Sequence, residues 1–175
     1  MKVLKYILGI IVVAVLGFLS LGFITSEIEY ENSVLVNKPI TECWQVSQDP
    51  SKMKDWLEGF QKFEHVSGPE GQVGGVSKVY FINEGQEMMI QETITNIVKN
   101  ESISMMFESD FMNMDYTLMM KTENGKTKIS SKTKTVGNNM FFKSIMALMG
   151  ENLKTQEDTN LGNLKKTIEQ NSKTY

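Results

Sequence analysis

Three carboxylates, Glu92, Asp110 and Asp115, lie on or beside apolar stretches and could do acid–base work. A carboxyl group trades protons near neutral pH when burial raises its pKa, and a pair can divide the acid and base roles. Strand alternation does not put the three on one inner face. Glu92 shares parity with Met88, Ile90 and Ile94 and is expected to face inward, whereas Asp115 shares parity with Lys121 and is expected to face solvent. Tyr80 and Tyr116 could donate a hydrogen bond to a carbonyl. His65 is the only histidine, so a histidine-based zinc site or a Ser-His-Asp triad has one candidate at most. Cys43, the only cysteine, cannot form an internal disulfide. Beside Trp44 it reads as a small buried hydrophobe rather than a reactive thiol. The glycines at 71, 74 and 75 could approach a phosphate, but no P-loop lysine follows and a strand comes next, which favours a turn or bulge. No catalytic constellation, metal site or cofactor motif emerges.

The elements that position these residues follow from length and pattern. A chain of 175 residues has room for one domain with a substantial core. A formal charge of −3 and the lack of a basic patch argue against nucleic acid as a partner. The 13 methionines, concentrated in strands, suit an adaptable apolar lining or a loosely specified core.

Residues 6–25 form an almost wholly apolar run without charge, long enough to cross about 30 Å of hydrocarbon as a helix. Lys2 and Lys5 precede it, and Glu27, Glu29 and Glu31 follow it. The positive-inside rule then places residues 1–5 in the cytoplasm and the rest of the chain on the extracytoplasmic side. A cleaved signal peptide is the alternative, and it would release a secreted domain. Residues 26–32 read as a polar spacer and residues 33–172 as the exported domain.

A first strand over Ser33–Asn37 is followed by two short helices. Pro39 opens the first, and Asp49-Pro50 caps the second, with Trp44 and Trp56 as apolar anchors. From Phe60 the period changes to two. Strands are expected at 60–66, 76–82, 88–98 and 103–108, then a hairpin of 112–122 and 126–136 about Asn124-Gly125. Met114, Tyr116, Leu118 and Met120 should face inward opposite Thr127, Ile129, Ser131, Thr133 and Thr135. A helix is expected from about Asn139 to Gln170. Its second half carries Leu153, Glu157, Leu161, Leu164 and Ile168 at spacings of three and four, one narrow stripe that needs a surface. About thirty residues would span about 45 Å, more than a small sheet covers, and Gly150 is the natural weak point. Met140–Met149 is apolar on more than one side. It reads as a flap over a cavity mouth, a membrane contact, or packing under the sheet.

Several segments carry a resemblance to a known family. They are Val34-Leu35-Val36-Asn37-Lys38-Pro39 with Cys43-Trp44; Asp49-Pro50-Ser51-Lys52-Met53 through Trp56; and Gly71-Gln72-Val73-Gly74. Asn124-Gly125-Lys126-Thr127-Lys128-Ile129 and Leu161-Gly162-Asn163-Leu164-Lys165-Lys166 complete the set. In this order they resemble the START-like (SRPBCC, polyketide cyclase/dehydrase) helix-grip proteins over roughly 33–170. The membrane anchor departs from the soluble family pattern. The resemblance implies an α+β helix-grip fold, a curved antiparallel sheet around a long C-terminal helix, with an apolar small molecule or lipid as ligand. The expected cavity lining is Trp56, Tyr80, Ile90, Glu92, Met105, Phe107, Met114, Tyr116, Leu118, Ile129, Phe142, Met149 and Leu153. A cyclase/dehydrase- or hydrolase-type enzyme on a small apolar substrate is an alternative, and a partner-binding module with a solid core is another.

Overall fold

The computed structural model describes residues 2–25, 27–83 and 85–172. Helix α1 (Lys2–Ile24) leads into strand β1 (Ile28–Val36). Helix α2 (Ile40–Ser47) follows, then a 3-10 turn (Pro50–Lys52) running into helix α3 (Met53–Trp56). Strands β2 (Phe60–Ser67), β3 (Val76–Asn83), β4 (Gln86–Val98), β5 (Ser102–Glu108), β6 (Met112–Glu123) and β7 (Lys126–Gly137) precede helix α4 (Met140–Glu169). The strands form one antiparallel sheet in the order β1-β7-β6-β5-β4-β3-β2. This is the helix-grip arrangement, a curved sheet holding a long C-terminal helix.

Local chemistry accounts for the turns. Asn124 and Gly125 both adopt positive φ (50° and 77°) and join Glu123 to Lys126 in a two-residue hairpin turn, the geometry Asn-Gly favours. The Asp49 side chain accepts a hydrogen bond from the Ser51 amide and starts the 3-10 turn. The Asn139 side chain accepts from the Phe142 amide and starts α4.

The first strand begins at Ile28 rather than Ser33, so the expected spacer is mostly β1. The reason is alternation in the acidic segment. Ile28, Tyr30 and Asn32 turn inward, while Glu29 and Glu31 turn out beside lysines of β7. Lys134 meets Glu27 at 2.7 Å and Glu29 at 3.6 Å, and Lys132 meets Glu31 at 3.7 Å. Consequently only residues 25–27 separate α1 from the sheet.

Helix α4 runs unbroken through Gly150. Its second half buries Leu161, Leu164 and Ile168 completely in a core shared with Val36, Cys43, Trp44, Val46, Trp56 and Ile129. Its first half is sandwiched. Gly150 rests near Ile28 of β1, and α1 packs on the other side of the helix. There the Gly22 amide donates to Ser144 Oγ at 3.1 Å, and a Cβ at Gly22 would fall 2.6 Å from that oxygen. The helix is longer than the sheet requires because its first turns serve a second helix.

Candidate functional site

Helix α4 lies on β1 and β7, and α2 and α3 close onto it. Beneath it the inward residues of β7 are sealed: Thr127, Ile129, Ser131, Thr133 and Thr135 are each at most 1% exposed. Away from the helix the same concave face is only half-covered. Met88 and Glu92 on β4, Met105 and Phe107 on β5, and Met114 and Tyr116 on β6 remain partly accessible, as do Ser77 and Phe81 on β3. We call this half-covered stretch of the concave face, on strands β3–β6 beside α4, the trough.

Two cross-strand rows line it. One reads Tyr30, Thr133, Tyr116, Met105 and Ile94. The next reads Ile28, Thr135, Met114, Phe107, Glu92 and Ser77, with exposed His65 at its edge. The Phe107 and Tyr116 rings meet edge-on at 6.4 Å. Glu157 approaches from α4. The Tyr116 hydroxyl donates to Glu157 Oε1 at 2.9 Å.

The electrostatics follow from this enclosure. Burial alone pushes the Glu92 carboxyl up to about 7, and it has no hydrogen-bond or ion-pair partner among the described residues. Burial also raises Glu157, against the opposing effect of donors including Tyr116. Tyr116 is held well above its ordinary value by burial and then by the nearby Glu157 charge. Burial lifts Tyr30 to about 12. Asn32 donates to the Lys154 carbonyl and to Asp158, which leaves its own carbonyl oxygen unpaired. The Thr135 hydroxyl and the Trp56 indole N–H are buried without partners as well, whereas the Thr133 hydroxyl meets Tyr30 and the Ser131 hydroxyl meets Glu157. Among the described residues no three His, Cys, Asp or Glu side chains group as metal ligands.

The expected lining residues fall into four sets. Glu92, Met105, Phe107, Met114 and Tyr116 share the half-covered concave face, and Leu153 is half-buried on α4. Ile90, Leu118 and Ile129 face the same side but are buried floor, and Trp56 is core beside α4. Phe142 is half-buried, its ring centroid 6.2 Å from that of Phe111 in the β5–β6 loop, and Met149 is 38% exposed. Tyr80 is a correction. Val79 and Phe81 take the inward positions of β3, so Tyr80 lies on the outer face, where it donates to Glu64 at 2.9 Å under the Lys62 ammonium. Asp115 and His65 are exposed.

Three participants escaped sequence reading. Glu157 was visible as the one charge in the apolar stripe of α4. Tyr30 and Asn32 were hidden by their acidic neighbours, although the alternation of Ile28, Tyr30 and Asn32 was there to be read. A separate depression of about 550 Å³ opens between the α3–β2 connection and α4, lined by Lys54–Gln61, Thr159 and Asn163. It lies outside the sheet–helix interior.

No family model and no curated protein matches the chain. Solved structures do. The Zhui aromatase/cyclase from Streptomyces sp. R1128 superposes with a TM-score of 0.69 at 13% identity, over 85% of this chain and 97% of that one. Protein CV1439 from Chromobacterium violaceum gives 0.67 at 18% identity, covering 82% and 98%. Ara h 8.0201 gives 0.66 at 14% identity, covering 83% and 99%. At such identities the likeness speaks to architecture alone, and the architecture of this chain is the helix-grip fold.

Proposed function

We propose that this protein is a membrane-anchored domain that binds an apolar small molecule or lipid in the trough on strands β3–β6 beside α4. The observation that carries the reading is the half-covered concave face. Met88, Met105, Phe107 and Met114 present unbranched or aromatic apolar surface that the protein itself does not bury. The presence of an aromatase/cyclase among the structural neighbours supports a ligand-holding use of the fold here.

Val3–Ile24 is long and apolar enough to cross a bilayer and is almost entirely exposed. We read it as a single-pass anchor with the N-terminus cytoplasmic and the domain extracytoplasmic, from the lysines before it and the glutamates after it. Its packing on α4 through Gly22 and Ser144 favours retention over cleavage, since cleavage would expose the Met140–Ser144 face. Rings of Phe18, Phe141, Phe142 and Phe111 follow one another at 5.6, 5.6 and 6.2 Å, from α1 across the start of α4 to the β5–β6 loop. This chain of rings joins the anchor to a loop between two strands of the trough and suits the start of α4 to a gate at the membrane surface.

The test is organic extraction of the full-length protein, purified from membranes, followed by mass spectrometry. A stoichiometric apolar compound that exogenous ligand displaces is the expected result. Recovery of none, with no uptake of apolar probes, would overturn the proposal.

A second reading, an enzyme of cyclase/dehydrase or hydrolase type, has one observation in its favour. Glu157 and Tyr116 are inward polar groups within hydrogen-bond reach, with unpaired Glu92 in the neighbouring row. Turnover of a bound compound that Glu157→Gln abolishes without loss of binding would select this reading.

A further inference from the structure

We infer that the trough selects an amphiphile with a positively charged amine head, and that Glu92 is the counter-ion for that head; this rests on the proposed binding of apolar ligands in the trough. The argument begins with what the trough lacks. All 18 basic residues of the chain are lysines, and arginine is absent. The lysines of β7 occupy outward positions: Lys128 opposite Leu35, Lys132 opposite Glu31 and Lys134 opposite Glu29. Among the described residues no lysine stands at an inward position of β1 or of β3 to β7; on α4 the half-buried Lys143 shares the spacing of the sheet-facing stripe, but it lies at the helix start beside Gly137, more than three turns before Glu157. The exposed His65 at the sheet edge is the one side chain in these rows that can become cationic. A carboxylate or phosphate head would enter a site with two carboxyl groups and nothing to balance it.

What the trough offers is acceptors. Glu92 faces it from β4 between Phe107 and Ser77 and makes no hydrogen bond or ion pair among the described residues. Glu157, the other carboxyl, already accepts from Tyr116. An ammonium carries three donors and no acceptor, which suits an unpaired carboxylate. The Phe107 ring directly across from Glu92 adds a face that a cation prefers over an anion. Met105 and Met114 are left to hold the hydrocarbon part.

The experiment is a head-group ladder at constant tail length. The full-length protein in a fluorinated surfactant is titrated calorimetrically at about pH 8 with 1-decylamine, 1-decanol and decanoate, each below its micelle concentration. The amine should bind about tenfold more tightly than the alcohol, because a charge-assisted hydrogen bond outweighs a neutral one, and decanoate should bind most weakly. In Glu92→Gln the amine should fall to the level of the alcohol, while the alcohol is unchanged. Decanoate binding as tightly as the amine, or an amine preference that survives Glu92→Gln, would overturn the inference and leave the trough as a plain apolar site. Failure of all three to bind would overturn the trough reading itself. The ladder on the unaltered protein decides the head-group question even if the variant does not fold.

Discussion

Replacing Glu92 by glutamine should make this protein more stable at alkaline pH and leave it unchanged in acid. The native carboxyl sits at about 7 because burial disfavours its charge, whereas in the unfolded chain it returns to the ordinary 4.5. A folded-state pKa raised above the unfolded one gives stability that is fully present below about 4.5 and is lost as pH rises through about 7. Above that the carboxylate is charged in both states, and the fold carries the whole penalty. The gap between the two values corresponds to roughly 3 kcal/mol at about 1.4 kcal/mol per pH unit. Solvent reaches this half-buried group, so about 1–2 kcal/mol is the better expectation. Glutamine keeps the shape and removes the charge. At about pH 8 its unfolding midpoint should therefore lie roughly 2–8 °C higher, and the difference should close by about pH 4. Trp44 and Trp56 report on the domain alone, because both are buried beside α4 and α1 has no tryptophan. Fluorescence-detected melts of the full chain in detergent are thus the assay. Glu157, raised in the same sense, tilts the stability profile of both proteins equally and drops out of the comparison. A variant less stable at pH 8, or a difference that does not depend on pH, would refute the reasoning, since it would mean that the carboxylate has a favourable partner.

Further outcomes follow from the packing. Gly22→Val should separate α1 from α4, because a Cβ there would stand 2.6–2.7 Å from Ser144 and the Met140 carbonyl. Cysteine crosslinking between the two helices would then fail while the melt of the sheet domain moves little. Replacing Phe141 and Phe142 together by serine should weaken binding of the trough ligand and change stability by no more than about 1–2 kcal/mol, the worth of the ring contacts. Global unfolding in that variant would instead assign the pair to the core. Leu164→Ala removes a fully buried side chain and should cost about 2–5 kcal/mol in denaturant unfolding.

Most of the fold was legible because short-range chemistry dictated it. Asn124-Gly125 fixes the hairpin register, and that register puts Tyr116 opposite Thr133 and Met114 opposite Thr135. Parity placed Glu92 inward and Asp115 outward. Parity failed where it lacked an anchor. In β3 the apolar content of Val79, Tyr80, Phe81 and Ile82 is nearly continuous, so nothing local says that Tyr80 points out. Only pairing with β2, which brings Lys62 and Glu64 to its ring, decides it. In β1 the glutamates masked a strand because their partners, Lys132 and Lys134, lie about a hundred residues away. The Tyr116–Glu157 bond has the same character. It depends on how α4 sets down on the sheet, which no window of sequence contains.

The remaining question is whether α4 can bend at Gly150, as its sequence suggested. Glycine in a helix interior is less favourable than alanine by about 0.5–1 kcal/mol, so its presence needs a reason such as a hinge or a close contact. A Cβ at this position would sit 3.5 and 3.6 Å from Ile28 carbons, ordinary contact rather than a clash. Packing therefore does not require the glycine strictly. A hinge would show itself as a break, yet the helix is continuous from Met140 to Glu169, with α1 on one side of its first half and β1 on the other. Gly150→Ala should then raise the melting temperature by about 1–4 °C and leave ligand affinity unchanged. If it stabilises the protein but slows ligand exchange, the helix bends here in function and the gate lies at Gly150 rather than at the rings of Phe141 and Phe142. A loss of stability would mean that Ile28 holds α4 more tightly than these distances imply.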